Sequence, residues 1–279
     1  MNNSVESNKQ SVNLSVSIVV YRPNQPLLER TLASLAVAGR SLCDARPGSH
    51  LHLYVVDNGG LPDIGTSLNA LEGWQFTLVS GQGNVGYGCG HNLAIERASS
   101  EYHLVLNPDI EMQADALVAA LEFLDTHPTV GLLAPSVVDD EGQFQLLCRQ
   151  YPTLADLFVR GFLPESARRY FAARLARYEM RGQINESDPF WDPPIVSGCF
   201  MLFRTDVLRR LGGFDERYFL YFEDYDLSLR THEVARIVYL PTVSVQHHGG
   251  GAARKGSSHI RMFIASAFKF YNRFGWKWL

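Results

Sequence analysis

Leu14–Val20 alternates apolar and polar residues and is rich in β-branched side chains, which predicts a strand. Leu27, Leu28, Thr31, Leu32 and Leu35 then recur at helical spacing. Asn24 stands where an N-cap belongs, so a helix is expected over Pro26–Ala38. Further apolar runs predict strands at Leu51–Val56, Phe76–Val79, His103–Leu106 and Val130–Leu133, with helices at Asn92–Ala98 and Asp115–Leu124 between them. Strands alternating with helices imply an α/β fold whose sheet is mostly parallel and flanked by helices.

The rhythm changes after residue 135. Asp139-Asp140-Glu141-Gly142 is turn chemistry and predicts a hairpin. Residues 154–181 read as helical and rich in Arg and aromatics, and Asp192-Pro193-Pro194 ends that pattern. A strand over Ile195–Phe203, a short helix ending at Gly212-Gly213, a helix over Glu223–Val234, a strand over Arg236–Leu240 and an extended Val243–Val245 follow. No repeat or low-complexity linker interrupts the chain, so one continuous domain is expected over 12–251. Its nucleotide-type half is 12–135 and its elaborated half 136–251, with a polar leader at 1–11 and a basic amphipathic helix at 252–279.

Composition narrows the class. The 279 residues are 46% hydrophobic and 19% charged, which excludes disorder and fibrous chains. No apolar run approaches the roughly 20 residues that span a bilayer. The leader has no signal-peptide pattern, which predicts a cytoplasmic protein. Cys43, Cys89, Cys148 and Cys199 form no CxxC pair, so neither a zinc site nor a disulfide framework is expected. After Glu233 the chain has seven basic residues and no acid. The other 18 basic and all 29 acidic residues lie in 1–233, a net charge of −11 there. Such a body argues against nucleic acid as a ligand, whereas the basic tail suits an anionic partner.

Five groupings carry candidate chemistry. Val55-Val56-Asp57-Asn58-Gly59 brings a carboxylate to the end of a buried strand, where open α/β sheets bind ligands. Asp57 there either accepts the imide N–H of a pyrimidine or simply closes a turn. Gly83-Asn84-Val85-Gly86-Tyr87-Gly88-Cys89-Gly90-His91-Asn92 has the glycines that let backbone approach a phosphate; the other reading is a flexible surface loop. A dinucleotide fingerprint is disfavoured, because such a loop follows the first strand, and here that strand is followed by Tyr21-Arg22-Pro23-Asn24. Asn107-Pro108-Asp109 delivers Asp109 to the sheet edge, either for a hard cation bridging a diphosphate or as a helix N-cap. Phe222-Glu223-Asp224-Tyr225-Asp226 sets three acids among aromatics. They serve either as first-turn acids of a helix, with Glu223 or Asp226 pairing with Arg230, or as a desolvated general base. His247, with His248 as the alternative, precedes three glycines and is a candidate metal ligand.

Taken in order, SIVVYRPN, VVDNGG, GNVGYGCGHN, LVLNPD, the stretch from Val196 to Arg230 and HHGGG resemble the inverting family 2 glycosyltransferases of the GT-A fold. The resemblance runs from about Val16 to Gly251 and is closest to the branch rich in bacterial rhamnosyltransferases, which build O-antigen, cell-wall linkers and lipopolysaccharide core. It implies that Asp224 is the catalytic base and that Asp57 reads the donor's base. It also implies that Asp109, with His247, holds Mg²⁺ or Mn²⁺. The family's metal motif has an acid where this chain has Asn107, so one carboxylate is left. The implied donor site comprises Val20, Tyr21, Asp57, Asn58, Asn84, Gly86, Gly88, Asn92, Asn107, Asp109 and Gly198. The expected reaction is single displacement of a sugar, L-rhamnose from dTDP-L-rhamnose, onto a saccharide or lipid-linked saccharide. The alternatives are another donor such as a UDP-hexose, or a degenerate module that only binds sugar nucleotides. In the tail, Ile260, Ile264, Phe268, Tyr271, Phe274 and Trp278 fall near one helical face. They either pack on the protein's own core or lie on an anionic membrane.

Overall fold

The computed structural model describes residues 10–248 and 257–279. Most of the expected leader (1–9), the glycines 249–251, and Arg254 and Lys255 lie outside the described residues. The first half runs β1 (Asn13–Val20), α1 (Gln25–Ala45), β2 (His50–Asp57), α2 (Gly65–Asn69), β3 (Trp74–Val79), α3 (Tyr87–Ile95), β4 (Tyr102–Leu106), β5 (Ile110–Met112) and α4 (Ala116–Thr126). The second half runs β6 (Val130–Val138), β7 (Phe144–Gln145), α5 (Leu154–Phe162), α6 (Glu165–Arg168), α7 (Ala172–Tyr178), β8 (Phe190–Trp191), β9 (Phe200–Arg204), α8 (Thr205–Leu211), α9 (Glu223–Thr231), β10 (Arg236–His247) and α10 (Ser257–Phe274).

One sheet in the order β3-β2-β1-β4-β9-β6-β10-β5 joins both halves. The pairings among β3, β2, β1 and β4 are parallel, as alternation with helices predicts. Beyond β4 the sheet is mixed. β9 lies antiparallel between β4 and β6, β10 is parallel to β6, and β5 is antiparallel to β10. β1, β2, β4 and β10 therefore all end at the same edge. One apolar core fills the α1/α4 face, with Leu28, Leu32, Leu35, Leu117 and Leu121 fully buried. A second lies on the other face around Phe203, Leu208, Phe214 and Leu227. A third, around Tyr178, Tyr218, Phe222, Phe270 and Tyr271, fixes α10 to the body.

Local chemistry explains most element ends. Asn24 caps α1, accepting from Leu27 N as expected, but the helix continues past Ala38 because Gly39 and Leu42 keep burying its inner face. α3 begins five residues before the expected start, so the glycine segment is mostly helix. Gly88 and Gly90 are there for contact: a Cβ would meet Phe214 Cβ at 2.7 Å and Val19 at 2.9 Å. Residues 154–181 break into short helices, the first break at Pro164. The expected strand Ile195–Phe203 is ordered only from Phe200, because the backbone of Gly198 bonds to side chains instead of to a neighbouring strand. The Asp139–Gly142 turn joins β6 to β7, with Asp139 Oδ1 accepting from Glu141 N and Gln143 N. No described helix is long and apolar enough to cross a membrane.

Candidate active site at the carboxyl edge of the sheet

The edge where β1, β2, β4 and β10 end gathers most of the expected residues. Val20 pairs with Asp57 in the ladder, and Asn58 N donates to Val20 O at 2.9 Å. Tyr21, half-exposed, stands over Gly59. Asp57 Oδ1 accepts from Gly59 N (2.8 Å) and Leu61 N (3.2 Å), so one oxygen closes the turn. The turn reading is thus realised, and Oδ2 takes no part in it. Asn84 is exposed beside that turn, its Oδ1 accepting from Gly86 N at 3.1 Å.

Four expected donor contacts serve the scaffold. Asn58 is buried and donates to Gly86 O at 2.9 Å, pinning the start of α3. Gly86 has φ of +92° and lies against Phe219 O, an approach only glycine allows. Asn92 uses both ends of its amide on Phe214, at 2.8 Å each, which ties α3 to the segment before α9. Gly88 likewise packs on Phe214 rather than facing the edge.

Asn107 follows β4, and its N–H donates to Cys199 O at 2.9 Å. Asp109 does not cap a helix, since β5 begins at the next residue. Its Oδ1 lies 3.4 Å from His247 Nε2. His247 Nδ1 has no hydrogen-bond partner among the described residues. His248 faces elsewhere: Nε2 meets Glu111 Oε2 at 3.0 Å, Nδ1 meets Asp140 Oδ1, and its N–H donates to Asp109 O at 3.0 Å. With both ring nitrogens engaged by carboxylates, His248 has none left for an ion, so the imidazole that faces Asp109 is His247. Among the described residues no group of three or more His, Cys, Asp or Glu could hold a metal alone. Asp109 and His247 fit an ion only as a partial set that another ligand completes.

The acids of α9 form the opposite wall. Tyr221 and Phe222 both have positive φ (70° and 66°), a costly backbone held by α10 packing behind Phe222. This turn aims Asp224 at the Ser197–Cys199 loop. Asp224 Oδ2 accepts from Gly198 N (3.0 Å), and Oδ1 from Tyr225 N (2.9 Å). Burial raises its pKa, while those two amides and the nearby Arg149 oppose the rise. Glu223 is 5% exposed, and its Oε2 has no hydrogen-bond partner among the described residues. Burial, then the charge of Asp224, pushes its pKa up to about 8. Asp226 is fully buried and pairs with Arg230 at 2.5 Å and Arg273 at 2.9 Å, so it is structural. Of the two acids offered to Arg230, only Asp226 takes it.

Several contributors carried no sequence signal. Tyr87 O–H donates to Gly198 O at 2.6 Å, and Tyr87 N–H donates to Phe219 O at 3.0 Å, linking α3, the Gly198 loop and the strained turn. Burial holds its hydroxyl well above the ordinary tyrosine range, so it stays a donor. Cys199, pushed up to about 12 mainly by burial, is close enough to feel both Asp109 and Asp224. Buried Arg149 bridges to Ile195 beneath the same loop. The edge thus offers one divided acidic site, with Asp109 and His247 on one side and a desolvated Asp224 on the other.

The family model described as glycosyl transferase family 2 matches residues 15–212. The N-acetylglucosaminyl-diphospho-decaprenol L-rhamnosyltransferase of Mycobacterium tuberculosis H37Rv is 30% identical over 274 residues, covering 92% of this chain and 83% of the relative. The rhamnosyltransferase WbbL of Escherichia coli K12 is 28% identical over 206 residues, covering 70% of this chain and 73% of WbbL. Among solved structures, the mannosyltransferase PcManGT of Pyrobaculum calidifontis, in complex with GDP-Man and Mn²⁺, aligns at TM-score 0.60 and 20% identity. That alignment covers 94% of this chain and 66% of the mannosyltransferase, so this chain corresponds to part of a longer one.

Proposed function

Since the chain belongs to glycosyl transferase family 2, has the GT-A fold and is a glycosyltransferase, we propose that it transfers L-rhamnose from dTDP-L-rhamnose to a hydroxyl of a saccharide carried on a lipid diphosphate, with inversion. The observation that carries the mechanism is the division of the site: a metal half-set at Asp109 and His247, and a desolvated, backbone-held carboxylate at Asp224. The choice of sugar and acceptor rests on the name of the Mycobacterium tuberculosis relative.

Asp109 and His247 would hold a divalent cation together with donor phosphate oxygens. Such an ion, when bound, neutralises the charge that develops on the leaving diphosphate. Asp57 Oδ2 would accept the imide N–H of thymine while Oδ1 keeps the turn closed. Asp224 takes the proton of the acceptor hydroxyl as that oxygen attacks the anomeric carbon and the diphosphate leaves. The Gly198 and Tyr225 amides orient the carboxylate, and its raised pKa makes it a stronger base than a solvated Asp. Glu223 stays protonated below about pH 8, so Asp224 bears the only charge of the pair there.

A thermal-shift screen of nucleotide-sugars with Mn²⁺ or Mg²⁺ tests the donor. dTDP-L-rhamnose is expected to stabilise the protein most, with dTDP next. Stabilisation by UDP-hexoses but not by dTDP-sugars would replace rhamnose with another donor.

A further inference from the structure

α10 has more apolar surface than the core uses. Phe263, Ala267, Phe270, Tyr271 and Phe274 pack into the third core. Tyr271 and Phe274, two members of the stripe read from the sequence, are therefore inside it. Ile260, Ile264 and Phe268, four residues apart, form a neighbouring stripe that is 45–57% exposed. The stripe continues beyond the helix: the Phe268 ring lies 5.4 Å from Trp276, which stacks on Trp278 at 6.0 Å. Trp278 O then accepts from Ala155 N, at the start of α5, whose Phe158 and Phe162 are exposed and stacked. The result is one band of exposed aliphatic and aromatic side chains across α10, the C-terminal segment and α5.

The charged side chains on the α10 and C-terminal part of this band have one sign. Residues 257–279 carry Arg261, Lys269, Arg273 and Lys277 and no acidic side chain. Arg273 is used by Asp215 and Asp226, and Lys277 sits over the Tyr151 ring. Arg261 is exposed beside the stripe, whereas Lys269 Nζ donates to Arg217 O. A second copy of the chain would set these cations against themselves. A lipid surface bearing anionic headgroups supplies the opposite charge and accepts tryptophan at its boundary. We propose that this band, formed by Ile260, Ile264, Phe268, Trp276 and Trp278 and flanked by Arg261, docks the protein reversibly on an anionic lipid bilayer.

The helix that would lie on the lipid also holds the turn that bears the proposed base. Phe222 contacts Phe263 and Phe270 at 5.1 and 5.2 Å. Ser266 Oγ donates to Leu220 O at 2.8 Å, and the Tyr221 hydroxyl meets His259 Nδ1 at 2.8 Å. Docking therefore fixes the Asp224 turn about one helix diameter, roughly 10 Å, from the lipid surface. That spacing suits a saccharide presented on a lipid. This last step rests on the acceptor proposed above, whereas the docking itself does not.

The full chain is mixed with vesicles of phosphatidylglycerol and phosphatidylethanolamine, or of phosphatidylcholine alone, and the bound fraction is measured by sedimentation. Binding to the anionic vesicles is expected at low salt, falling as salt rises and near absent on phosphatidylcholine. Ile264→Glu/Phe268→Glu should weaken binding by roughly tenfold or more. Arg261→Glu, which disturbs no packed residue, should weaken it roughly fivefold or more. Val37→Glu, equally exposed on α1, should leave it unchanged. Stabilisation by nucleotide-sugar is read in every variant. Its loss in the wild type would refute the donor assignment and leave the docking result standing. Equal binding by the stripe variants and wild type, or no binding at low salt, would overturn docking. So would a self-associated protein that Ile264→Glu/Phe268→Glu turns into monomers, since a second copy would then be the occupant.

Discussion

Replacing Glu223 by Gln tests the electrostatics of the site directly. The side chain is buried beside Asp224, and its pKa is raised from 4.5 to about 8. Between these values the unfolded chain has lost the proton and the folded protein has kept it. The unfolded state therefore binds fewer protons, and stability falls as pH rises, by about 1.4 kcal/mol per unit. From pH 5.5 to 7.5 this amounts to roughly 2–3 kcal/mol. Glutamine matches the neutral acid in shape and does not titrate. The unfolding free energy of Glu223→Gln, relative to wild type, should therefore rise by roughly 2–3 kcal/mol between pH 5.5 and 7.5. Urea unfolding of both proteins at the two pH values measures this, and the other titrating groups cancel in the difference. Turnover at pH 7 should stay within a few-fold of wild type, because Glu223 is already neutral there. A difference that is flat within about 0.5 kcal/mol would refute the buried, protonated Glu223. Loss of turnover as large as that from changing Asp224 would move the base to Glu223.

Tyr87→Phe removes the hydrogen bond to Gly198 O and loosens the amide that holds Asp224. kcat should fall roughly fivefold with donor KM little changed, and the acidic limb of the kcat–pH profile should move to higher pH. A loss of stability without the pH shift would leave Tyr87 a packing residue. Asp57→Asn keeps the Oδ1 turn but not the charge, so dTDP affinity should fall with Tm retained, whereas Asp57→Ala should lower both; unchanged dTDP affinity in both would remove Asp57 from base recognition. His248→Gln breaks the clasp to Glu111 and Asp140 beside His247. More Mn²⁺ should then be needed for half-maximal activity, with kcat recovered at saturation; an unchanged Mn²⁺ titration would mean that His248 does not position His247.

The strands that carry the site were legible because β1, β2 and β4 are rich in buried aliphatic residues and are closed or followed by polar ones, a pattern fixed by local burial. The placement of Asp57, Asp109, Asp224 and His247 around the candidate site was legible for the same reason: each closes or follows such a strand, or stands in an unusual cluster. What could not be read depends on partners distant in sequence. Gly88 and Gly90 look like a flexible loop until Phe214 and Val19 are seen filling the space beside them. Asn92 looks like a ligand until both its amide ends are found on Phe214. The Ile195–Cys199 stretch has strand composition, yet Asp224 and Tyr87 take the backbone groups of Gly198. Arg149 and Tyr87 gave no signal, because each acts through contacts more than 40 residues away. The choice between His247 and His248 needed the positions of Glu111 and Asp140.

The central claim is that Asp224 takes the proton in an inverting transfer of rhamnose. The most direct measurement incubates wild type and Asp224→Asn with dTDP-L-rhamnose, Mn²⁺ and a diphospholipid-linked N-acetylglucosamine acceptor, and reads the anomeric configuration of the product by NMR. Wild type should give a rhamnoside inverted relative to the donor. Asp224→Asn should bind donor equally well and turn over roughly 10² or more slower. A product that retains the donor's configuration, or near-normal turnover by Asp224→Asn, would contradict the mechanism.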